Sequence, residues 1–363
     1  MTKNLFHPLA QRTLIAGAVL AMTAGFAQAQ SSVTLYGRID VGVQYSDKTA
    51  GSNDSLVEVA NAGIRPSIWG LRGSEDLGGG LGAFFNLEAH FAGDTGAATG
   101  PAAGRSGSGG FRRQANVGVK GPWGQVTLGR QYSPAILANI GTEPRAFKEN
   151  LSGLYPYALN QNPGSNTVND IGLFIGNSVS YSNTFGPVYL GALVAAGEGT
   201  GRTYTLGASW TGPITLSASY QEIERAPDQD GTKHGMVGAA VPFGPVTVKA
   251  SYQKSEEKIA NVKISDVNFF GVGVDFAWNP TNTLNATYYY GKDKIRRAGN
   301  LEDKTSTLVL SNDYAISKRT TLYVQGAYAD AKGAPSLRTG VIVNGAHPDA
   351  KTSMVGVGVS HNF

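Results

Sequence analysis

The chain has 363 residues, with 30 basic and 26 acidic side chains, 49 glycines and no cysteine. The near balance of charge argues against nucleic-acid binding, which usually needs a basic stripe, and the lack of cysteine excludes a disulfide-stapled scaffold. No segment after the N-terminus approaches roughly 18 consecutive apolar residues, so the sequence excludes a helical membrane protein.

The first 29 residues have the composition of a secretory signal peptide. Lys3 and Arg12 form a positive region, an apolar segment follows, and residues 27–29 (Ala-Gln-Ala) match a small-residue cleavage site. The alternative is a membrane anchor, but the apolar run is short and rich in Ala and Gly. We therefore predict that residues 1–29 are removed and that Gln30 begins the mature chain.

From residue 33 onward, apolar and hydrophilic residues alternate with a period of two, which is typical of half-buried β-strands. The pattern recurs in residues 33–45, 214–221, 246–253 and 283–291. In the second of these segments, one parity is apolar and the other hydrophilic: Ile214, Leu216, Ala218 and Tyr220 oppose Thr215, Ser217, Ser219 and Gln221.

Short Gly, Pro and Asn turns alternate with longer polar connections. The turns lie at residues 76–80, 121–124, 186–187, 212–213, 244–245 and 279–280, and the long connections at 47–63, 94–111, 133–172 and 332–349. This asymmetry is typical of outer-membrane barrels. We predict one all-β domain over residues 30–363, a transmembrane antiparallel β-barrel of about 16 strands, wide enough for a water-filled lumen. The strand pattern is weakest around residues 64–75 and 176–185.

The last ten residues alternate to the end of the chain, with Val355, Val357, Val359 and Phe363 on one parity. Free termini usually fray, so a terminal strand that ends on an aromatic residue indicates a paired strand in a closed barrel.

The apolar parity is predicted to face lipid and the polar parity to face water inside the barrel, because the polar row carries Thr, Ser, Gln and Asn in strand after strand. The alternative is a large soluble β-protein with its apolar face inside. Aromatic residues near strand ends on the apolar parity favour two interfacial girdles: Tyr45, Tyr181, Tyr189, Tyr204, Trp210, Tyr220, Tyr252, Trp278, Tyr290, Tyr314, Tyr328 and Phe363.

Several strings resemble the general diffusion porins of β-proteobacteria and Neisseria. Residues 32–40 (SVTLYGRID) resemble the first strand of that family, and 69–80 (WGLRGSEDLGGG) the second strand and first turn. Residues 113–121 and 126–131 resemble its fourth and fifth strands, and 358–363 (GVSHNF) its closing strand. The resemblance covers the whole mature chain in the same order.

This resemblance implies a homotrimeric porin of the outer membrane with an inward-folded constriction loop, which would be residues 133–172. It also implies that Phe363 helps the barrel-assembly machinery to recognise the chain. The family often has Arg where this chain has Ile68 and Ser180. Those arginines help to form a basic wall at the constriction, so their replacement leaves open whether anions or cations are preferred.

A porin selects solutes by the width of its pore and by the field of the charges that line it. Parity places Arg38, Asp40, Arg72, Glu88, His90, Lys249 and Asp275 on the inner face, and Arg112 or Arg113 could point inward where a strand leaves a loop. The predicted constriction loop carries Glu143, Arg145, Lys148 and Glu149. We expect acidic groups of the loop to face basic groups of the wall.

No catalytic residue, metal site or cofactor is predicted. Residues 228–239 resemble a calcium loop but have Lys233 and Ala239 at positions six and twelve, where Gly and Glu are required. The expected partners are small hydrophilic solutes and ions, outer-membrane lipid and lipopolysaccharide. Lys292, Lys294, Arg296 and Arg297 are assigned to an outer loop, where they would meet lipopolysaccharide phosphates or be solvated. A substrate-specific channel and a surface adhesin or receptor barrel remain alternative functions.

Overall fold

The structure is a computed structural model that describes residues 32–49, 52–98, 110–161, 172–197, 201–224, 230–295, 301–333, 338–342 and 349–363. The predicted signal peptide therefore lies outside the described residues, as do Arg296 and Arg297. The described strands are β1 (Ser32–Ser46), β2 (Leu56–Asn61), β3 (Ile68–Gly78), β4 (Leu81–His90), β5 (Gln114–Gly121), β6 (Gly124–Tyr132), β7 (Phe174–Phe185), β8 (Val188–Ala195), β9 (Thr203–Thr211), β10 (Thr215–Ile223), β11 (Thr232–Phe243), β12 (Val246–Ile259), β13 (Val262–Asn279), β14 (Asn282–Ile295), β15 (Leu301–Ala315), β16 (Thr320–Lys332) and β17 (Lys351–Asn362). The two described helices are α1 (Pro134–Asn139) and α2 (Leu154–Leu159).

The strands form one closed antiparallel barrel. Each strand from β3 to β16 pairs with the next in the chain, and β17 returns to pair with β1 from Arg38–Asn362 to Ser46–Met354. β2 and β3 pair with successive halves of β1, so together they occupy one position in the barrel. Seventeen strands therefore fill sixteen positions, which confirms the predicted barrel of about 16 strands.

The break between β2 and β3 corrects one prediction. Residues 47–63 were expected to form a polar loop, but residues 56–61 pair with β1 as a short strand. The chain leaves the sheet at residues 62–67 and rejoins it at Ile68, where the pattern was weakest.

The apolar face of the barrel points outward. Val33 and Leu35 are 66% and 63% exposed, whereas Asp40 and Gln44 on the opposite parity are 0% and 4% exposed. The same division holds at the C-terminus, where Val355 and Val357 are exposed and Met354 is buried. A soluble β-protein would show the reverse arrangement, so the predicted inversion is confirmed.

One aromatic residue departs from the predicted girdles. Tyr189 lies on the same parity of β8 as Leu193, which is 2% exposed, and the exposed Leu190 and Val194 lie on the other. Tyr189 therefore faces the inside of the barrel.

The turns at one end of the barrel are short, and the other end carries the longer connections. On that second side, β12 and β13 are joined by a tight turn at residues 260–261, and β13 is 18 residues long. A tilted strand needs only about 9–11 residues to cross a bilayer, so β13 extends well beyond the lipid.

Among the residues described, no helix is long and apolar enough to cross a membrane.

Candidate functional site

The candidate site is the lumen together with the segment that folds into it, residues 133–161, which we call the inner loop. Ser133 N donates to Leu173 O over 2.8 Å, so the segment leaves and rejoins the wall at one place. It contains both described helices, α1 and α2. The Ser133 side chain caps α1 by accepting from Ala135 N, and Pro134 occupies the first turn, a favourable start for a helix.

Polar side chains of the wall hold α1 in place. Ser133 Oγ donates to Gln221 Oε1 over 2.6 Å, and Asn139 Nδ2 donates to Ser219 Oγ over 2.7 Å. Thr142 Oγ1 lies 2.6 Å from Ser217 Oγ. These wall residues occupy the inward parity of β10 that the alternation predicted.

Two glycines allow the backbone of the inner loop to approach the wall closely. A Cβ atom at Gly207 of β9 would lie 2.2 Å from the carbonyl oxygen of Pro134, and one at Gly238 of β11 would lie 2.3 Å from Thr142 Oγ1. Real Cβ atoms do not approach so closely. Glycine is therefore required sterically at residue 207, where α1 touches β9, and a side chain at residue 238 would displace Thr142 from β11.

The middle of the inner loop is bound to the wall by buried charges. Arg145 is 2% exposed, and its guanidinium donates to Asn285 Oδ1, Ser311 Oγ and Gln325 Oε1 at 3.0, 2.7 and 3.2 Å. Glu143 is also buried and accepts from Tyr289 Oη at 2.6 Å and from three backbone N–H groups. Both predicted loop charges lie in the contact between loop and wall.

Two ion pairs lie on the same side of the lumen. Lys148 Nζ is 2.6 Å from Asp313 Oδ2, and Lys249 Nζ is 2.8 Å from Asp275 Oδ2. Burial, with Arg145 nearby, lowers the pKa of Lys148 to about 8, although Asp313 opposes this shift. At neutral pH each lysine is paired with a carboxylate, so the net charge of this side is small.

The inner loop crosses the lumen and meets the break between β2 and β3. Glu149 N donates to Ile64 O over 3.1 Å, and Asn150 N donates to Gly63 O over 3.3 Å. Asp40 holds the break open: its carboxylate accepts from Gly63 N, Arg65 N and Tyr323 Oη at 2.9, 3.0 and 2.9 Å.

The side chain of Glu149 is buried and points across the lumen from the loop. It accepts from Tyr155 Oη at 2.9 Å. Burial raises the pKa of Glu149, while Arg113 and the Tyr155 hydrogen bond act in the opposite direction. The positive charge of Arg113 on the wall therefore acts on this acidic group of the loop.

Arg113 is the buried cation of that wall. Its guanidinium bonds to Glu88 and Tyr132, lies 2.8 Å from His90 Nε2, and sits 4.6 Å from the centre of the Phe174 ring. Glu88 also accepts from Tyr36 Oη over 3.0 Å. The pair of Arg113 and Glu88 is thus enclosed, and neither side chain is exposed to the lumen.

More arginines surround this pair on β1 to β6. Arg38 Nε donates to Asn362 Oδ1 over 2.8 Å, and the exposed Arg72 lies 5.1 Å from the centre of the Tyr36 ring. Arg130 Nε donates to the backbone oxygen of Arg112 over 2.5 Å. Arg65 is exposed in the strand break and close enough to Arg38 for the two charges to interact.

Sequence reasoning missed Arg65 and Arg130. Arg65 lies in the strand break, where no period applies. Arg130 lies at a register shift between Gly129 and Gln131, where alternation stops predicting direction. The positive φ of Gly129 (106°) marks this irregularity, but glycine alone is too common in the chain to have identified it.

A second segment also folds inward. Residues 338–342 were predicted to be part of an outer connection, but Val341 and Ile342 are 0% and 3% exposed. Val341 O accepts from Leu151 N over 3.1 Å, and Arg338 Nε donates to Asn160 Oδ1 over 3.1 Å. The segment therefore covers the inner loop and fills the side of the lumen next to β13–β16.

The described residues contain no group of three or more His, Asp or Glu side chains that could hold a metal ion. What the arrangement offers chemically is an inner surface with charges of both signs, whose exposed arginines lie on the side of β1 to β6.

Comparison with known proteins agrees with this architecture. The chain is 30% identical to an outer membrane porin protein of Bordetella pertussis, over 97% of this chain and 100% of that protein. It is also 30% identical to outer membrane porin protein 32 of Delftia acidovorans, with the same coverage. Among solved structures, an anion-selective porin from Comamonas acidovorans superposes with a TM-score of 0.77 at 27% identity, covering 92% of this chain and 100% of that one.

The Gram-negative porin family matches residues 16–334. With the closed barrel, the outward apolar face and the inner loop, this match shows that the chain belongs to the Gram-negative porin family and lies in the bacterial outer membrane.

Proposed function

We propose that the protein is a passive-diffusion channel for ions and small hydrophilic solutes, and that it prefers anions. One observation carries the preference: Arg65 and Arg72 are exposed on the inner side of the barrel, whereas Asp40 and Glu88 on the same wall are 0% and 5% exposed. A solute that passes this wall meets guanidinium groups before it meets carboxylates.

The carboxylates of the site already accept hydrogen bonds or ion pairs from other groups of the protein. Asp40 is held by the backbone of the strand break, Glu88 by Arg113, and Glu149 by Tyr155. On the opposite side, Lys148 and Lys249 are paired with carboxylates. The net charge that remains on the lumen wall is positive, and it lies on β1 to β6.

The replacement of family arginines by Ile68 and Ser180 does not remove this net positive charge. Ile68 is directly opposite Arg38 in the pairing of β1 with β3, and Arg65 lies three residues before it. Ser180 donates to Gln131 Oε1 over 2.6 Å and so belongs to a neutral hydrogen-bonded patch. We propose that Arg38 and Arg65 supply the positive charge that the family often places at residue 68. The similarity to an anion-selective porin supports this sign.

The residues that border the path of the solute belong to the same proposal. We assign Arg38, Arg65, Arg72 and Arg112 to the solute path, whereas the buried Glu149 is held by Tyr155 at its edge. Glu143 and Arg145 instead fix the inner loop, since their polar atoms are directed to the wall and to the loop backbone.

Three further features are proposed on the family resemblance: a homotrimer, removal of residues 1–29, and recognition of Phe363 by the barrel-assembly machinery. The last is compatible with the geometry. Phe363 exchanges backbone hydrogen bonds with Gly37, and its ring is 52% exposed on the outer face.

The test is single-channel conductance of the refolded protein in a planar bilayer, with the reversal potential measured across a salt gradient. Ohmic steps in groups of three and a reversal potential of anionic sign are expected. Arg65→Gln should lower the anion-to-cation permeability ratio by up to about 30-fold at low salt. A unit charge about 4 Å from a passing ion in water contributes about 1 kcal/mol, with opposite sign for an anion and a cation, so the ratio changes by about 2 kcal/mol.

Arg319→Gln is the matched control, since it removes the same charge from an exposed short turn outside the lumen. An unchanged ratio in Arg65→Gln, or cation preference in the wild type, would refute the proposed selectivity. A folded, inserted barrel that does not conduct would refute the channel itself and favour an adhesin or receptor.

A further inference from the structure

On the outer surface of the barrel, three lysines form a lateral row across neighbouring strands. Lys292 of β14 is directly opposite Lys304 of β15, and Lys304 is directly opposite Lys332 of β16. All three lie on the outward parity, because their neighbours Asp293, Thr305 and Ala331 are 2%, 1% and 2% exposed. Lys292 and Lys294 were predicted to lie in an outer loop, but they belong to β14.

Like charges directly opposite each other across a sheet are destabilising, so this row needs anions nearby. The protein supplies one: Glu302 accepts from Lys292 Nζ at 2.9 Å and from Lys304 Nζ at 2.7 Å. Within the described part of the chain, Lys294 and Lys332 have no ion pair. Asp330 is a second outward carboxylate, two residues from Lys332 on β16 and directly opposite Lys351. Two carboxylates thus accompany the three lysines of the row and Lys294, and the surface remains positive.

The position of the lysine row along the membrane normal identifies the part of the lipid bilayer that lies beside it. Four residues below the lysines in each strand is a second row, formed by Tyr288, Leu308 and Tyr328, which are 45%, 47% and 45% exposed. Four residues span about 14 Å along a strand, or about 10 Å along the membrane normal for a strand tilted by roughly 45°. Exposed tyrosines mark the edge of the hydrocarbon, so the lysines lie at the level of the lipid headgroups.

The end of the barrel with the longer connections faces the cell exterior in this class of protein. The headgroups at that level are those of the outer leaflet, whose lipopolysaccharide carries phosphate groups. We propose that Lys292, Lys304 and Lys332, with Lys294, form a binding site for the phosphates of lipopolysaccharide. The proposal rests on the outer-membrane location of the barrel and is independent of its ion selectivity.

The experiment compares two double variants of the purified, refolded protein in detergent. Lys304→Gln/Lys332→Gln removes two charges from the row, and Lys318→Gln/Arg319→Gln removes two exposed charges from a short turn at the opposite end. Each protein is titrated with lipopolysaccharide at low ionic strength, and circular dichroism and heat-modifiable migration confirm that both barrels are folded.

Binding by the row variant is expected to be roughly 30-fold weaker than that of the wild type, since each lysine near an anionic surface contributes about 1 kcal/mol. The turn variant should bind like the wild type. Lipopolysaccharide stripped of its phosphates should bind the wild type about as weakly as intact lipopolysaccharide binds the row variant.

Equal affinity of the two double variants would overturn the site. Unchanged binding of the phosphate-free lipid would overturn the proposed chemistry. Inorganic phosphate is the final probe: if it binds the wild type as tightly as lipopolysaccharide does, the row is a site for the free ion and the lipid assignment is wrong.

Discussion

The close contact between α1 and β9 predicts a large effect from a very small substitution, Gly207→Ala. The added Cβ would lie 2.2 Å from Pro134 O and 2.7 Å from Pro134 C, whereas ordinary van der Waals contact begins at 3.4 Å. The first turn of α1 must therefore move from the wall by about 1 Å, since backbone atoms cannot turn aside as a flexible side chain can. Overpacking of this kind typically costs about 1–3 kcal/mol.

The displacement has a predictable direction. Ala135 and Ile136 of α1 lie in one buried cluster with Phe147 of the inner loop, so the helix is enclosed between β9 and the rest of that loop. Its movement from the wall pushes the inner loop toward the lumen, which narrows the passage, and it strains the hydrogen bonds of Ser133 and Asn139 to β10. Gly207→Ala should lower the single-channel conductance and increase open-channel noise, with a modest fall in the midpoint of thermal unfolding. Planar-bilayer recordings and circular dichroism measure these quantities.

Gly235→Ala on β11 is the matched control, because its Cβ would meet only Ser219 O at 3.7 Å. It should leave conductance and noise unchanged. If Gly207→Ala conducts like the wild type while both variants are folded, then α1 is not seated on β9 in the membrane, and the steric reasoning fails.

Two other predictions concern charges of the lumen. Glu88→Ala should lower the free energy of unfolding by about 3–5 kcal/mol, because it leaves the buried guanidinium of Arg113 without its carboxylate; denaturant titration measures the loss, and a loss below 1 kcal/mol would mean that water solvates Arg113. Lys148 should make ion selectivity depend on pH: its pKa of about 8 means that raising the pH from 7 to 9 removes a positive charge and leaves Asp313 unpaired. Between pH 7 and pH 9, the reversal potential of the wild type should move toward cation preference, and that of Lys148→Met should not. An equal pH response in the variant would show that another group titrates.

The local pattern of the sequence was sufficient for much of this architecture. Alternation with a period of two specifies which face of a strand is apolar, and the inward Ser217, Gln221 and Gln253 follow it. The terminal alternation up to Phe363 predicted closure, and β17 does pair with β1. These features are local because the backbone of a strand turns successive side chains to opposite faces.

Alternation failed where the backbone departs from a regular strand. It missed the short strand β2 and could not orient Arg130 beside the register shift in β6. Tyr189 was assigned wrongly for a different reason: β8 is regular, but both of its faces are largely apolar. At a bulge or a break in a strand, the extra residue changes which side chains point inward, and the residue types in these stretches do not predict where the bulge or break occurs.

The site itself depends on contacts between residues far apart in the chain. From the sequence, Arg145 is a charged loop residue, yet it bonds to Asn285, Ser311 and Gln325, up to 180 residues away. Likewise, nothing local shows that Val341 packs on Leu151. The sequence alone determined the barrel, its inversion and its family, because those follow from a repeating local pattern. The closed structure decided which charges fix the inner loop and which remain exposed to solutes, because both depend on where the loop meets the wall.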